Sequence, residues 1–250
     1  EEDVRSVHGP LEPVCLSEAP HNPTAAMVDR HAPALWKAVY NGDLGLAQRL
    51  LEDDHVDVDG LGCLYKQGDE EKEAETTPLH TAVRRTNWVC LEGTGIAGKK
   101  DGTEIVRLLL RHGADPMFKD SNDFSVLNAA ASGGVSCSPS TLTDNVTMLL
   151  QQGADVNQAN ERGETPIHNA AFYGYAPVVT VLLEHGASLL LRTRADLTAQ
   201  GMALAAQSAP PGDSHQEVLE VLEAAMNRDK CTAFAMGLHP RLGVNSLVLM

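Results

Sequence analysis

A seven-residue pattern recurs along this 250-residue chain and leaves few folds open to it. Thr77-Pro78-Leu79-His80-Thr81-Ala82-Val83 returns as Thr165-Pro166-Ile167-His168-Asn169-Ala170-Ala171, and more loosely as Ser125-Val126-Leu127-Asn128-Ala129-Ala130-Ala131. Degenerate copies flank these at residues 33–39 and 200–206. Each of the three clear copies is followed by a leucine-rich stretch (Val106 to Leu110, Met148 to Leu150, Val179 to Leu183). A glycine-alanine pair then follows, at Gly113-Ala114, Gly153-Ala154 and Gly186-Ala187. Threonine caps a helix start, and proline fits the first turn, where its missing N–H would be unpaired anyway. The small alanine pair lets neighbouring helices approach, and Leu and Val at helical spacing bury a second helix. Glycine then takes a positive φ to end that helix. Self-similarity of this kind marks a stack of two-helix units, each too small to bury its own apolar face.

The pattern resembles the ankyrin repeat family over roughly residues 31–228. That resemblance implies an all-α solenoid of about five helix-turn-helix repeats joined by β-hairpin loops, with repeats starting near 33, 77, 125, 165 and 200. It also implies that His80 and His168, which look catalytic in isolation, are structural groups hydrogen-bonding within and between repeats. Members of the family are non-enzymatic modules that bind other proteins through hairpin tips and the concave face of the inner helices. The variable inner-helix positions fall here on Lys37, Tyr40 and Asn41, on Thr81, Arg84 and Arg85, and on Asn169, Phe172 and Tyr173. The tips fall on Ser121, Asn122 and Phe124, then on Glu161, Arg162 and Glu164. The candidate partner-binding set is therefore Tyr40, Arg84, Arg85, Asn169, Phe172, Tyr173 and Arg162, since Tyr and Arg are the residue types that dominate interfaces. Phe172 and Tyr173 have a competing reading as inter-repeat core. Repeat three departs from the pattern with Val126, Asn128, Ser132 and Gly133, which marks it as the weak layer of the stack.

The intervals between repeat starts are 44, 48, 40 and 35 residues, against a family period of about 33. The surplus falls in an acidic insertion over 52–76, an inter-helix insertion over 86–102, and shorter inter-helix loops in repeats three and five. Per-repeat insertions on one edge suit a binding face, and equally an edge that tolerates length. The acidic insertion holds ten Asp and Glu against Lys66 and Lys72, a local net of −8 in a chain of formal charge −15. Such a segment reads as a solvated, partly disordered finger, or as a contact steering a basic segment of a partner.

The net negative charge argues against a general nucleic-acid binder. No run is long and apolar enough to span a bilayer, and the acidic start is not a secretory leader. Five dispersed cysteines without a Cys-x-x-Cys pair suit free thiols in a reducing compartment, so the expected location is intracellular, cytoplasm or nucleus. Cys231 with His239 is the best zinc couple and has no second pair, so no metal or cofactor is expected. Gly93-Thr94-Gly95-Ile96-Ala97-Gly98-Lys99-Lys100 imitates a phosphate-binding loop, but Lys100 stands where a hydroxyl should be and no βαβ unit surrounds it. Asp57-Val58-Asp59-Gly60 imitates a calcium loop but places His55 and Lys66 at its two key ligand positions. Residues 1–32 read as a disordered lead-in, and residues 229–250 as a tail that either packs on repeat five or begins a further element. The reading is thus a monomeric protein-binding array, with the recognition arm of a larger assembly, such as a ubiquitin-ligase adaptor, as its alternative.

Overall fold

The computed structural model describes residues 33–53, 55–65, 72–88, 99–121, 123–133, 139–206 and 214–235. Five helix pairs follow one another: α1 (Ala34–Asn41) with α2 (Leu44–Leu51), α3 (Pro78–Trp88) with α4 (Lys99–Arg111), and α5 (Val126–Ser132) with α6 (Pro139–Gln151). The last two are α7 (Pro166–Phe172) with α8 (Ala176–Glu184), and α9 (Ala199–Ala206) with α10 (Ser214–Ala235). The inner helices stack in the order α1, α3, α5, α7, α9, and the outer helices in the order α2, α4, α6, α8, α10. The chain is an all-α solenoid, and its core is one continuous aliphatic seam. Leu35, Leu79, Leu127 and Ile167 from the inner row meet Leu109, Leu149, Leu182 and Leu222 from the outer row, all with essentially no exposure.

The helix boundaries follow local chemistry. Thr77 Oγ1 and Ser125 Oγ accept the backbone N–H three residues on, at 3.2 and 3.0 Å, and Asp43 Oδ1 does the same for Leu46 at 2.8 Å. Between repeats the chain makes hairpin fingers whose tips close identically: Asp120 N–H to Phe124 carbonyl, Asn160 to Glu164, and Thr193 to Leu197, at 2.9–3.0 Å. This ladder fixes the fifth repeat at Thr198, 33 residues after Thr165, and not near 200 as the heptad alignment suggested. Gln200-Gly201-Met202 are too degenerate to set the register by themselves. The boundary proposed at 228 likewise falls inside α10, which runs on to Ala235.

Two insertions take structure the sequence did not suggest. In the acidic insertion, β1 (Gly62–Tyr65) pairs antiparallel with β2 (Lys72–Thr76). The ribbon is held where the buried Trp36 Nε1–H donates to Thr76 Oγ1 at 3.2 Å, and Gly62 lies against the indole so closely that a Cβ there would collide with it. The inter-helix insertion is shortened from both ends, α3 running to Trp88 and α4 starting at Lys99. Thr86 in that added turn accepts the Asn145 Nδ2–H at 2.9 Å and donates to the Val83 carbonyl. Residues 1–32, 66–71, 89–98, 207–213 and 236–250 lie outside the described residues, and with them the lead-in, most of the phosphate-loop imitation and the end of the tail.

A second ladder couples finger to finger. Asp57, Asp115 and Asp155 each accept the backbone N–H two residues on, at 2.8–3.0 Å. The residue so positioned then reaches the next repeat. Asp59 accepts from Asp115 N–H at 3.0 Å, Met117 Sδ from Asp155 N–H at 3.2 Å, and Asn157 Oδ1 from Ser188 N–H at 2.8 Å. Gly113, Gly153 and Gly186 turn the chain into these fingers with φ of 83°, 91° and 87°, and nothing lies within 4 Å of where a Cβ would stand. Substituting Gly186 by Ala therefore carries a backbone cost and no clash. It should destabilise the array by about 1–2 kcal/mol in urea denaturation, with Asn costing less.

Candidate protein-binding face

The candidate residues divide by what their side chains already do. Tyr40 is half-buried and stacks on Trp36, with ring centres 5.3 Å apart and planes 9° from parallel. Arg85 donates to the Tyr40 carbonyl at 2.6 Å and lies over Gly42, so it closes the end of α1 from the next repeat. Arg84 is half-buried one position earlier. Asn169 is only 3% exposed and gives its Nδ2–H to Asn128 Oδ1 at 3.2 Å, so its side chain belongs to the inter-repeat seam and leaves the accessible set. Thr81 is similarly buried against Thr76, hydroxyl to hydroxyl at 3.0 Å. Arg162 is exposed at a finger tip, its carbonyl taking the Arg194 N–H of the next finger at 2.8 Å.

Repeat four presents an aromatic cluster. Phe172 and Tyr173 meet edge to face at 5.2 Å, and Tyr173 stacks on Tyr175 at 6.1 Å. All three are half-buried, so the cluster is neither closed core nor loose surface. The Phe172 carbonyl bonds His215 Nε2 at 2.9 Å, which pins the end of α7 from repeat five as Arg85 pins α1 from repeat two. Tyr175 escaped the sequence reading because it stands after the helix, at the start of α8. The signal was available, since Phe-Tyr-Gly-Tyr holds two of the chain's four tyrosines. Its ring lies over Gly133, where any Cβ would collide with it. The small residues that marked repeat three as weak thus make room for a neighbour's aromatic ring.

The histidines also separate. His168 behaves as the pattern implies. Its Nδ1 meets Thr165 Oγ1 at 2.8 Å and accepts the Thr165 N–H, while Nε2 reaches the Leu191 carbonyl at 3.1 Å. Asn128 performs the same task in repeat three, donating to the equivalent carbonyl of Gln158 at 3.2 Å, so the substitution preserves the link. His80 does not follow the expectation. It is fully buried, packs edge-on to Phe118, and among the described residues neither ring nitrogen has a hydrogen-bond partner. Burial, assisted by the nearby Arg84 charge, pushes its pKa down to about 3, and burial also lowers that of His168.

Among the described residues no group of three His, Cys, Asp or Glu is placed to hold a metal ion. Of the phosphate-loop imitation, Lys99 and Lys100 open α4, and Asp59 of the calcium imitation is engaged by Asp115.

Both histidines are charged in the unfolded chain below about pH 6.5 and stay neutral in the folded one to lower pH, for His80 to about 3. The folded state therefore loses stability as pH falls from about 6.5, by about 1.4 kcal/mol per pH unit for His80, and none of this loss occurs above pH 7. Urea titrations at pH 7.5, 5.5 and 4.5 should show this slope reduced in His80→Leu. At pH 7.5, His80→Leu should be near neutral, and His168→Leu should cost about 1–3 kcal/mol, because only the second strands hydrogen-bond partners.

Residues 95–193 match the family model for ankyrin repeats in three copies. Ankyrin repeat and SOCS box protein 16 of Mus musculus is 34% identical over 157 residues, 62% of this chain and 30% of that protein. The 2-5A-dependent ribonuclease of Homo sapiens is 36% identical over 110 residues, 44% of this chain and 11% of that protein. Ankyrin repeat, SAM and basic leucine zipper domain-containing protein 1 of Dasypus novemcinctus is 30% identical over 151 residues, 60% of this chain. The chain thus spans under a third of the length of these relatives. Two of the three are named for the repeat, and the family match over residues 95–193 falls on the repeats built above, so the chain is similar to the ankyrin repeat proteins and carries that repeat across this stretch.

Proposed function

We propose that this array binds a protein partner along the edge of its inner helices, from Tyr40 and Arg84 in the first two repeats to Phe172, Tyr173 and Tyr175 in the fourth, with Arg162 at the adjoining finger tip. The observation that carries this reading is the half-exposed aromatic cluster of repeat four. Three rigid rings in mutual contact offer large area at low entropic cost, which is what interface anchors require. Arg85 and Asn169 support the face from within and do not touch the partner. The acidic insertion over 52–76 steers a basic segment of the same partner, while nucleic acid and membrane surfaces are not ligands. The array works as a monomer inside the cell, in cytoplasm or nucleus, without catalysis, metal or cofactor.

A second reading is favoured by the relative whose name joins ankyrin repeats to a SOCS box. In it the array is the recognition arm of a larger assembly, such as a ubiquitin-ligase adaptor, joined through the residues after α10.

Affinity capture from lysate with quantitative mass spectrometry separates these readings. The bait would be compared with Arg84→Ala/Phe172→Ala/Tyr173→Ala and with a chain ending at Ala235, each verified by circular dichroism. A partner engaged through this face should lose about 2 kcal/mol, roughly 30-fold in affinity, in the triple variant. Its association rate should fall as salt is raised from low to physiological strength. Equal capture by wild type and triple variant would overturn the face assignment. Loss of ligase subunits on truncation alone would select the second reading.

A further inference from the structure

The fingers between repeats change charge along the array. The first is the acidic insertion, with a net charge of −8 over residues 52–76. The second and third, residues 113–125 and 153–165, each carry −2, and the fourth, residues 186–198, carries +1. Ser188 stands in the fourth finger where Asp57, Asp115 and Asp155 hold the turn in the others. The fingers are neighbours in that order, since each is hydrogen-bonded to the next. At the acidic end, burial and then the charges of Asp115 and Asp57 raise the Asp59 carboxyl above its ordinary value, against the lowering effect of the Asp115 N–H.

Opposite charge gathers where the third and fourth fingers meet. The Arg162 carbonyl accepts the Arg194 N–H at 2.8 Å. Gly163, with φ of 74°, permits this approach, because a Cβ there would stand 3.1 Å from the Arg194 nitrogen and 3.3 Å from the Thr193 Cα. The contact sets two exposed arginines on adjoining tips. The other Lys and Arg of the second to fourth fingers are occupied: Lys119 pairs with Asp123 at 3.3 Å and Arg192 with Asp196 at 3.2 Å. Among the described residues neither the Arg162 nor the Arg194 guanidinium has an ion-pair or hydrogen-bond partner. Of the nearby carboxylates, Glu164 accepts the Asn160 amide at 2.8 Å, and Glu161 is exposed beside Arg162.

We propose that Arg162 and Arg194 form a docking point for an acidic stretch of the protein partner, guanidinium to carboxylate, while a basic stretch of the same partner meets the first finger. The proposal rests on the reading that a partner lies along the inner-helix edge and its adjoining fingers. A planar guanidinium matches a carboxylate through two parallel hydrogen bonds. Neither arginine has an internal ion pair to give up when it does so. With about 10 Å between packed repeats, the first and fourth fingers stand about 30 Å apart, a distance that an extended segment crosses in about nine residues. The run of charge along the fingers then sets which way the partner lies, acidic stretch over repeats four and five and basic stretch over repeat one. Complementarity of this kind fixes register and excludes wrong partners more than it adds affinity.

Fluorescence anisotropy on the full chain at low ionic strength tests this with two labelled synthetic peptides. The first joins a block of about four lysines to a block of about four glutamates through a Gly-Ser spacer of about nine residues. The second carries serine in place of the glutamates. In a chain of net charge −15, a Glu block with no docking point weakens binding. The glutamate peptide should instead bind about three- to tenfold more tightly than the serine peptide. Arg162→Ala/Arg194→Ala should abolish that preference, and Arg162→Glu/Arg194→Glu should reverse it in favour of serine. Both side chains are exposed, so these changes leave the fold intact, which circular dichroism checks. The preference should persist in Arg84→Ala/Phe172→Ala/Tyr173→Ala, the variant whose capture of the partner judges the aromatic face, so the two assignments fail separately. Equal binding of the two peptides would overturn the docking point. So would a preference that survives removal of both arginines, or one that vanishes with the aromatic face.

Discussion

A repeat of two helices and a turn cannot shield its own apolar side, so coverage of each repeat by the next is the interaction on which this structure rests. The aliphatic seam runs through all five repeats, and burial of apolar surface is by nature non-directional. What fixes the register is the polar ladder along the fingers, in which a side chain from one repeat accepts a backbone N–H from the following one. Its acceptors are an aspartate, a methionine sulfur and an asparagine. The geometry tolerates a weak acceptor such as Met117 because the Asx-type turn already holds that residue in place.

The same economy governs the buried polar groups. The His position of the motif can carry a donor to the next finger, and both His168 and Asn128 do so. Asn128 also accepts from Asn169, which ties repeats three and four together from inside. A repeat that departs from the motif in four residues is thereby linked to the next finger by the same kind of contact as one that follows it. His80 is the converse case, a residue that fits the motif and lacks the contact, because the Phe118 ring packs against the imidazole. Motif agreement and hydrogen bonding are separate properties, and the tertiary packing around each side chain decides the second.

The proposed binding face lies where coverage is incomplete. The rings of Phe172, Tyr173 and Tyr175 pack on one another and on the gap left at Gly133, yet keep part of their surface open. Arg85 and His215 hold the ends of the first and fourth inner helices from the adjacent repeat, and such bracing would lower the entropic cost of the proposed binding.

The sequence by itself determined the architecture: five two-helix units, their order, and the residues of the seam. Helical spacing, caps and glycine stops are local properties, and local properties are written in the order of residues. It also placed Tyr40, Arg84 and Arg85 on inner helices. Only the tertiary structure decided the start of repeat five, because Gln200-Gly201-Met202 carries no cap signal and the register comes from hydrogen bonds to a neighbouring finger. It likewise decided that Asn169 is buried and Arg85 engaged, and that Tyr175 joins the aromatic cluster. A side chain's accessibility depends on what the next layer places against it, and that layer lies about 33 residues or more away in the chain.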